Sequence, residues 1–233
     1  MQSVRVWDLP TRFGHWLLAL LVIVAIVTSE EKGLLHTIHI VCGIGAGVIV
    51  LFRLVWGVIG NERARFADFV YGWARVRAYA LDLLRLKPPR HIGHNPLGGW
   101  MVVALLAVVL FATATGLVVQ GLLGPGAGKA AEEVHEAIGS LIQIMIVVHV
   151  AGVLIDWLLT GDNLIAAMIG GRKHVVPVRV DESAATDTPR DARGGNVWLA
   201  LAIALPLALG GVWLFGQVDP AARPGDRESG SHD

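Results

Sequence analysis

Four histidines in apolar surroundings are the residues of this chain whose type and spacing point to chemistry. His135 and His149 sit fourteen residues apart in one apolar segment, and His15 and His39 stand near the start of two earlier ones. Lipid penalises a polar side chain that lacks a partner, so histidines in such segments mark ligands or relays. On an α-helix, fourteen residues rise about 21 Å and return to within roughly 40° of the same face. One helix then offers two ligands on one side, near opposite edges of a hydrocarbon layer about 30 Å thick. Taken singly, each histidine also reads as an interfacial or helix-capping group. The matched spacing favours two metal centres stacked across a membrane.

Composition sets the frame for those residues. The chain has 233 residues, 54% hydrophobic and 16% charged, against about 25% charged in soluble domains. That balance favours a membrane protein. The formal net charge is zero, so nothing points to a nucleic-acid partner. Cys42 is the only cysteine, which excludes an internal disulfide, a four-cysteine cluster and a covalent CxxCH haem site. Any haem here is non-covalent, and Cys42 is expected to pack as a small hydrophobe.

Five apolar runs reach membrane length, at residues 13–28, 36–59, 97–123, 135–159 and 197–215. The expected fold is an all-α membrane protein: a four-helix transmembrane haem-binding bundle plus a fifth C-terminal transmembrane helix. The first run, with Arg5 and Arg12 before it, has the outline of a signal peptide. No small-residue cleavage site follows, however, and cleavage would discard His15 and Trp16. Asn95 followed by Pro96 suits an N-cap with proline at the first helical position. Trp7, Trp16, Trp56, Trp73, Trp100, Trp157 and Trp198 fall near expected helix ends, as interfacial aromatics do.

The loops orient the spans. With the N-terminus in the cytoplasm, fifteen of the nineteen basic residues lie inside, and only Lys32, Lys129, Arg223 and Arg227 lie outside. The positive-inside rule therefore places the N-terminus in the cytoplasm and the C-terminus outside. Residues 66–87 are too polar to span and read either as an amphipathic helix on the inner surface or as an ordinary cytoplasmic helix. Residues 1–175 form the expected haem domain. Residues 176–195 form a cytoplasmic linker, whose polar part, 181–195, reads as flexible. Residues 196–233 carry the fifth helix and an external tail, disordered from 219 onward. The fifth helix holds no histidine and is free to pack against a partner.

Depth decides how the histidines pair. His15 lies near the inner end of an outward-running helix. His39 and His135 lie near the outer ends of inward-running helices, and His149 lies deeper. Two level pairs result: His15 with His149, and His39 with His135. Neutral imidazoles suit haem iron, and bis-histidine ligation leaves no open coordination site. Facing helices of a four-helix core can hold such cofactors between them. His36, one turn before His39, competes with it. His39 is preferred because Gly43 follows four residues later and leaves room for a haem plane; close helix packing uses glycine too. Arg53, fourteen residues after His39, can pair with a haem propionate or snorkel to lipid phosphate. Arg12, one turn before His15, is a second candidate for the propionate. His91, His94 and His174 fall in loops and are expected to be solvated.

The chain resembles a known family, the bacterial cytochromes b561 of the dihaem membrane type, related to the cytochrome b subunit of nickel–iron hydrogenases. The resemblance rests on VWDLPTRFGHW at 6–16, HIVCG at 39–43, RLVWG at 53–57, RARFADF at 63–69 and GHNPLGGWM at 93–101. It continues through the helix carrying His135 and His149 and NLIAAMIGGRK at 163–173, and spans about residues 4–175. It implies a four-helix core holding two b haems in the bacterial inner membrane, with ligands at His15, His39, His135 and His149. It also implies electron transfer between a quinone pool and a partner such as a c-type cytochrome or a dehydrogenase. The fifth helix lies outside the match, and His36 is an extra histidine beside a ligand position.

Three functions compete. The first is a transmembrane electron carrier exchanging electrons between quinone and a redox partner. The second is an enzyme, a superoxide:quinone oxidoreductase, with Lys32, His36 and Lys129 as a cationic mouth. The third is a membrane anchor for a hydrogenase-like redox complex, motivated by the fifth helix and tail. A metal-ion transporter would want acidic residues inside the spans, where Asp156 is the one clear case.

Overall fold

The structure is a computed structural model describing residues 2–123, 128–175 and 191–218. Among these residues five helices are long and apolar enough to cross a membrane. They are α1 (Leu9–Val27), α2 (Leu34–Ile59), α5 (Pro96–Val119), α6 (Gly128–Thr160) and α8 (Val197–Phe215). Shorter elements fill the connections: α3 (Phe66–Phe69), α4 (Trp73–Leu84), α7 (Leu164–Gly170) and a two-stranded ladder of β1 (Gln2–Arg5) with β2 (Arg172–Val175). The all-α expectation holds apart from this ladder.

Hydropathy locates the apolar slab better than the helix ends. The first helix starts at Leu9 rather than 13 because Asp8 caps it, its Oδ1 accepting from the Thr11 amide at 2.9 Å. In α6 the helix begins seven residues before the apolar run at 135, through Lys129, Glu132 and Glu133, which are good helix formers outside an apolar layer. Asn95 caps α5 as expected, accepting from the Gly98 amide at 2.7 Å. The single helix expected over 66–87 is two pieces, α3 and α4. They part at Gly72, whose carbonyl starts the second by accepting from Arg75 and Val76.

The chain divides into two compact units, and each long helix contributes residues to both. The first unit comprises residues 1–13, 54–104 and 146–200. Here β1 pairs antiparallel with β2, from Gln2 opposite Val175 to Arg5 opposite Arg172. Just beyond the ladder, the Val6 and Trp7 amides both donate to the Gly171 carbonyl. Gly171 (φ +77) ends α7 in the left-handed conformation that glycine adopts without strain. Val6, Trp7, Ile92 and Ala167 form the apolar cluster beneath.

Residues 191–195, expected to be part of a flexible linker, are docked instead. The Arg5 amide donates to Asp191 Oδ1 (2.6 Å) and the Ala192 amide to the Arg5 carbonyl (3.0 Å). The Glu62 amide donates to the Arg193 carbonyl at 2.9 Å, and Asn61 Nδ2 to the Gly194 carbonyl at 3.3 Å. Two of these bonds join backbone to backbone and two join backbone to side chain, all with residues more than a hundred positions away, which polar composition does not reveal. The rest of the expected linker, and the expected disordered tail from 219, lie outside the described residues.

The second unit comprises residues 14–53, 105–145 and 201–218 of the described chain. Small residues let its helices approach closely, as apolar helices do in lipid. A Cβ added to Gly47 of α2 would lie 2.6 Å from Thr113 Cγ2 of α5, and one on Gly45 would lie 3.2 Å from Leu21 of α1. Gly211 brings α8 against Val48 and Ile44 in the same way. The fifth helix is thus packed on α2, with Leu205, Leu209, Val212 and Trp213 on its exposed side. Cys42 is buried, as a small hydrophobe would be.

Candidate functional site

In the second unit α2 and α6 bring His39 and His135 together. Their ring centres are 6.0 Å apart and the rings stand perpendicular, at 89°. Each ring is held by its far nitrogen. His39 Nδ1 donates to the Ala25 carbonyl at 2.8 Å. His135 Nδ1 lies 3.0 Å from Thr115 Oγ1. That hydroxyl's own hydrogen is directed at the Phe111 and Ala112 carbonyls, 3.1 and 3.0 Å away. It therefore accepts from His135. The tautomer with Nδ1 protonated leaves Nε2 of each ring as a lone pair able to take a metal.

This arrangement fits a metal held between the rings. Metal-bound histidine characteristically donates its other N–H to a carbonyl or similar acceptor. A metal–imidazole bond of about 2 Å, plus ~1 Å from nitrogen to ring centre on each side, sets ring centres about 6 Å apart. The glycines agree. A Cβ on Gly116 would press to 3.1 Å from His135 Cε1, whereas one on Gly43 would meet nothing within 4 Å. Gly116 gives the ring its seat, and Gly43 faces the open space that a macrocycle beside His39 requires.

His36 does not share this geometry. Its ring stacks on His39 at 6.2 Å and 12°, and it is His39 that faces His135. His15 lies in α1 within the second unit, half-buried and edge-on to Trp16 at 5.0 Å. His149 lies half-buried in α6 within the first unit. Arg53 is half-buried near the end of α2. Arg12 already has a partner, as its Nη1 donates to the Ile169 carbonyl at the end of α7. Two loop histidines expected to be solvated are half-buried. His94 packs against Phe69 and Trp7, at 4.3 and 4.5 Å, and His91 packs against Tyr79 at 5.4 Å. Their polar loop hides an apolar floor supplied by distant aromatics. His174 falls on β2.

Sequence reasoning missed Thr115, the partners of Asp156 and the other polar groups that fix the first unit. Thr115 carries a faint signal, being with Thr113 one of two hydroxyls in a mostly apolar run. Asp156 accepts from Tyr79 Oη (3.0 Å) and Asn95 Nδ2 (2.9 Å). Lys173 Nζ meets Asp162 Oδ2 at 2.8 Å and donates to the His91 carbonyl at 2.5 Å. Asp8, besides capping α1, accepts from Trp56 Nε1 at 3.1 Å.

Two imidazoles brought together between apolar helices are what a membrane cytochrome of the histidine-ligated kind would place around its iron. The comparisons agree: the family described as prokaryotic cytochrome b561 matches residues 6–171, and the chain belongs to it. It is a multi-pass membrane b-type cytochrome, a haem protein of electron transfer. The chain is 23% identical over 217 residues to the probable Ni/Fe-hydrogenase B-type cytochrome subunit of Rhizobium leguminosarum bv. viciae, covering 74% of this chain and 89% of that one. To the subunit of the same description in Azotobacter vinelandii it is 25% identical over 215 residues, 72% and 88% of the two chains. To the probable Ni/Fe-hydrogenase 1 B-type cytochrome subunit of Escherichia coli strain K12 it is 24% identical over 217 residues, 74% and 92%. No solved structure gives a significant match.

Proposed function

We propose that this chain carries electrons across the bacterial inner membrane through two bis-histidine b haems, between the quinone pool and a redox partner. His39 and His135 hold one haem, and His15 and His149 hold the other. The observation that supports this most is the His39–His135 pair, whose Nδ1 atoms are engaged and whose ring spacing suits an intervening iron. Bound haem supplies a one-electron iron couple, and with imidazole on both faces it offers no open site to a substrate. The protein's part is to aim the ligands and keep them neutral. The Ala25 carbonyl and the Thr115 hydroxyl fix the tautomers, Gly43 and Gly116 leave space, and the apolar helices exclude water. Arg53, on α2 with His39, is the cation proposed to meet a propionate.

Basic-residue placement supports an N-terminus in the cytoplasm and a C-terminus outside. The relatives' names, all cytochrome subunits of Ni/Fe hydrogenases, support a partner of the dehydrogenase type, with a c-type cytochrome as the other candidate. The chain is thereby also suited to anchor such a complex, and the haem domain proper is residues 1–175. The test is the haem-to-polypeptide ratio of purified protein with its reduced-minus-oxidised spectrum. Two haems per chain and a b-type spectrum reducible by quinol are expected. One haem or fewer per chain, or haems that quinol does not reduce, overturns the reading.

A further inference from the structure

Apart from the histidine pair, the first unit holds a cleft of about 470 Å³. Its walls come from the turn after α2, the break between α3 and α4, and the loop before α5. Arg63, Asp68, Tyr71, Trp73, Arg75 and His94 supply its chemistry. The electron-transfer reading uses none of them.

Three features make the cleft attractive to an anion. The buried Arg63 brings Nη1 to within 3.8 Å of where a Gly93 Cβ would stand, and Asp68 Oδ2 comes within 3.9 Å of the same point. The one acid in the cleft is thus beside the one buried arginine. Arg75 then tips the balance positive, its guanidinium held over the Tyr71 ring at 5.6 Å. The first turn of α4 lines the cleft too, and its cap Gly72 has no side chain to bond the turn's amides. Seven basic and three acidic residues lie between positions 62 and 90, so the surrounding field has the same sign.

The setting says which anion. Trp73 is 77% exposed at the cleft, and Trp100, 46% exposed, donates Nε1 to the carbonyl of the lining residue Tyr71 at 2.9 Å. An exposed tryptophan near the start of a spanning helix, as Trp100 is in α5, marks the headgroup level of a bilayer. Leu81 and Leu84 of α4 are exposed as well, as on a helix lying on lipid. The cleft ends at His94, two residues before α5 enters its apolar run at Pro96. We propose that the cleft seats the phosphate of an anionic membrane lipid between Arg63, Arg75 and the α4 N-terminus, fixing α4 against the membrane face.

The experiment is native mass spectrometry of the haem-loaded protein with dioleoyl phosphatidylglycerol, dioleoyl phosphatidylcholine or inorganic phosphate as probe. One phosphatidylglycerol per chain should be retained in preference to phosphatidylcholine. Arg75→Gln should weaken that retention about fivefold, the usual effect of one basic residue at an anionic surface. Lys87→Gln, outside the cleft, should leave it unchanged. Arg63→Gln should act like Arg75→Gln in preparations that keep the parent haem spectrum. Equal retention of the two lipids, or Arg75→Gln matching the parent, overturns the proposal. Displacement of phosphatidylglycerol by millimolar inorganic phosphate also overturns it, because the cleft would then be a small-anion site.

Discussion

The two units partner their polar groups differently. In the second, the half-buried polar side chains around the candidate site are His39, His135, Thr113 and Thr115, each bonded to a carbonyl or hydroxyl close by. In the first, the fully buried polar groups include ionisable ones, Asp8, Asp156, and Lys173 with Asp162, each tied to a residue distant in sequence or to an ion-pair partner. Neutral imidazoles can surrender their lone pairs to a metal without leaving a charge behind. Buried ions cannot lose a partner so cheaply, and they serve to pin helix ends and loops. The His39–His135 pair is thus suited to receive something, and the buried ionisable groups of the first unit hold its helix ends and loops in register.

The largest effect should come from breaking the neutral pair. His39→Ala removes one of the two facing histidines proposed as ligands, so on the two-haem reading haem content should fall from two per chain to one. His36→Ala, which removes a ring stacked on the ligand but not facing His135, should keep both haems. Haem-to-protein ratios of the two variants measured side by side decide the matter. Full haem content in His39→Ala together with a loss in His36→Ala would exchange the two roles.

In the first unit the corresponding blow falls on stability and leaves haem content alone. Lys173 and Asp162 meet at 2.8 Å with side chains 7% and 10% exposed. Lys173→Ala leaves the Asp162 carboxylate buried without its cation, at a cost of about 3–5 kcal/mol. The double variant Lys173→Met, Asp162→Leu should recover most of that loss, because the cost lies in the orphaned charge. Thermal unfolding followed by the haem band reads both. A double variant as unstable as the single one would mean that the Lys173 bond to the His91 carbonyl is what matters.

These contrasts show what was legible in the sequence. The helix α8 is found at 197–215, as expected, because Asn196 and Gly216–Gln217 bound its apolar run sharply. The beginning of α6 was hidden because Glu132 and Glu133 are polar yet helical. Depth and periodicity, regular consequences of helix geometry, place His39 level with His135, and those two rings lie 6.0 Å apart. The Lys173–Asp162 pair, the Asp156 network and the docking of residues 191–195 had no such signal. They depend on turns that fold the chain back on itself, and a single sequence does not print the partners of a loop. His94 was misjudged for the same reason, its apolar neighbours Trp7 and Phe69 arriving from elsewhere in the chain.

The finest comparison removes one hydroxyl from each unit. Thr115→Val deprives His135 of its Nδ1 acceptor, and loss of such an outer partner typically weakens metal binding by 10–100-fold. Faster haem loss on dilution is therefore expected, with little change in the unfolding of the apoprotein. Tyr79→Phe removes a donor to Asp156, costing about 1–3 kcal/mol of stability and leaving haem retention as it was. Its pH dependence gives a second handle. Burial first, then the charge of Asp156 and the hydrogen bond to it, push the Tyr79 phenol above its ordinary range. The folded chain holds that proton more tightly than the unfolded one. The contribution is thus complete below about pH 10 and is lost as pH rises beyond it, when the unfolded chain ionises first. Melting curves at rising pH should show the parent losing stability more steeply than Tyr79→Phe in the alkaline range. Parallel curves would mean that the phenol ionises as readily in the fold as outside it, and the division between a charge-pinned unit and a neutral one would lose its support at Asp156.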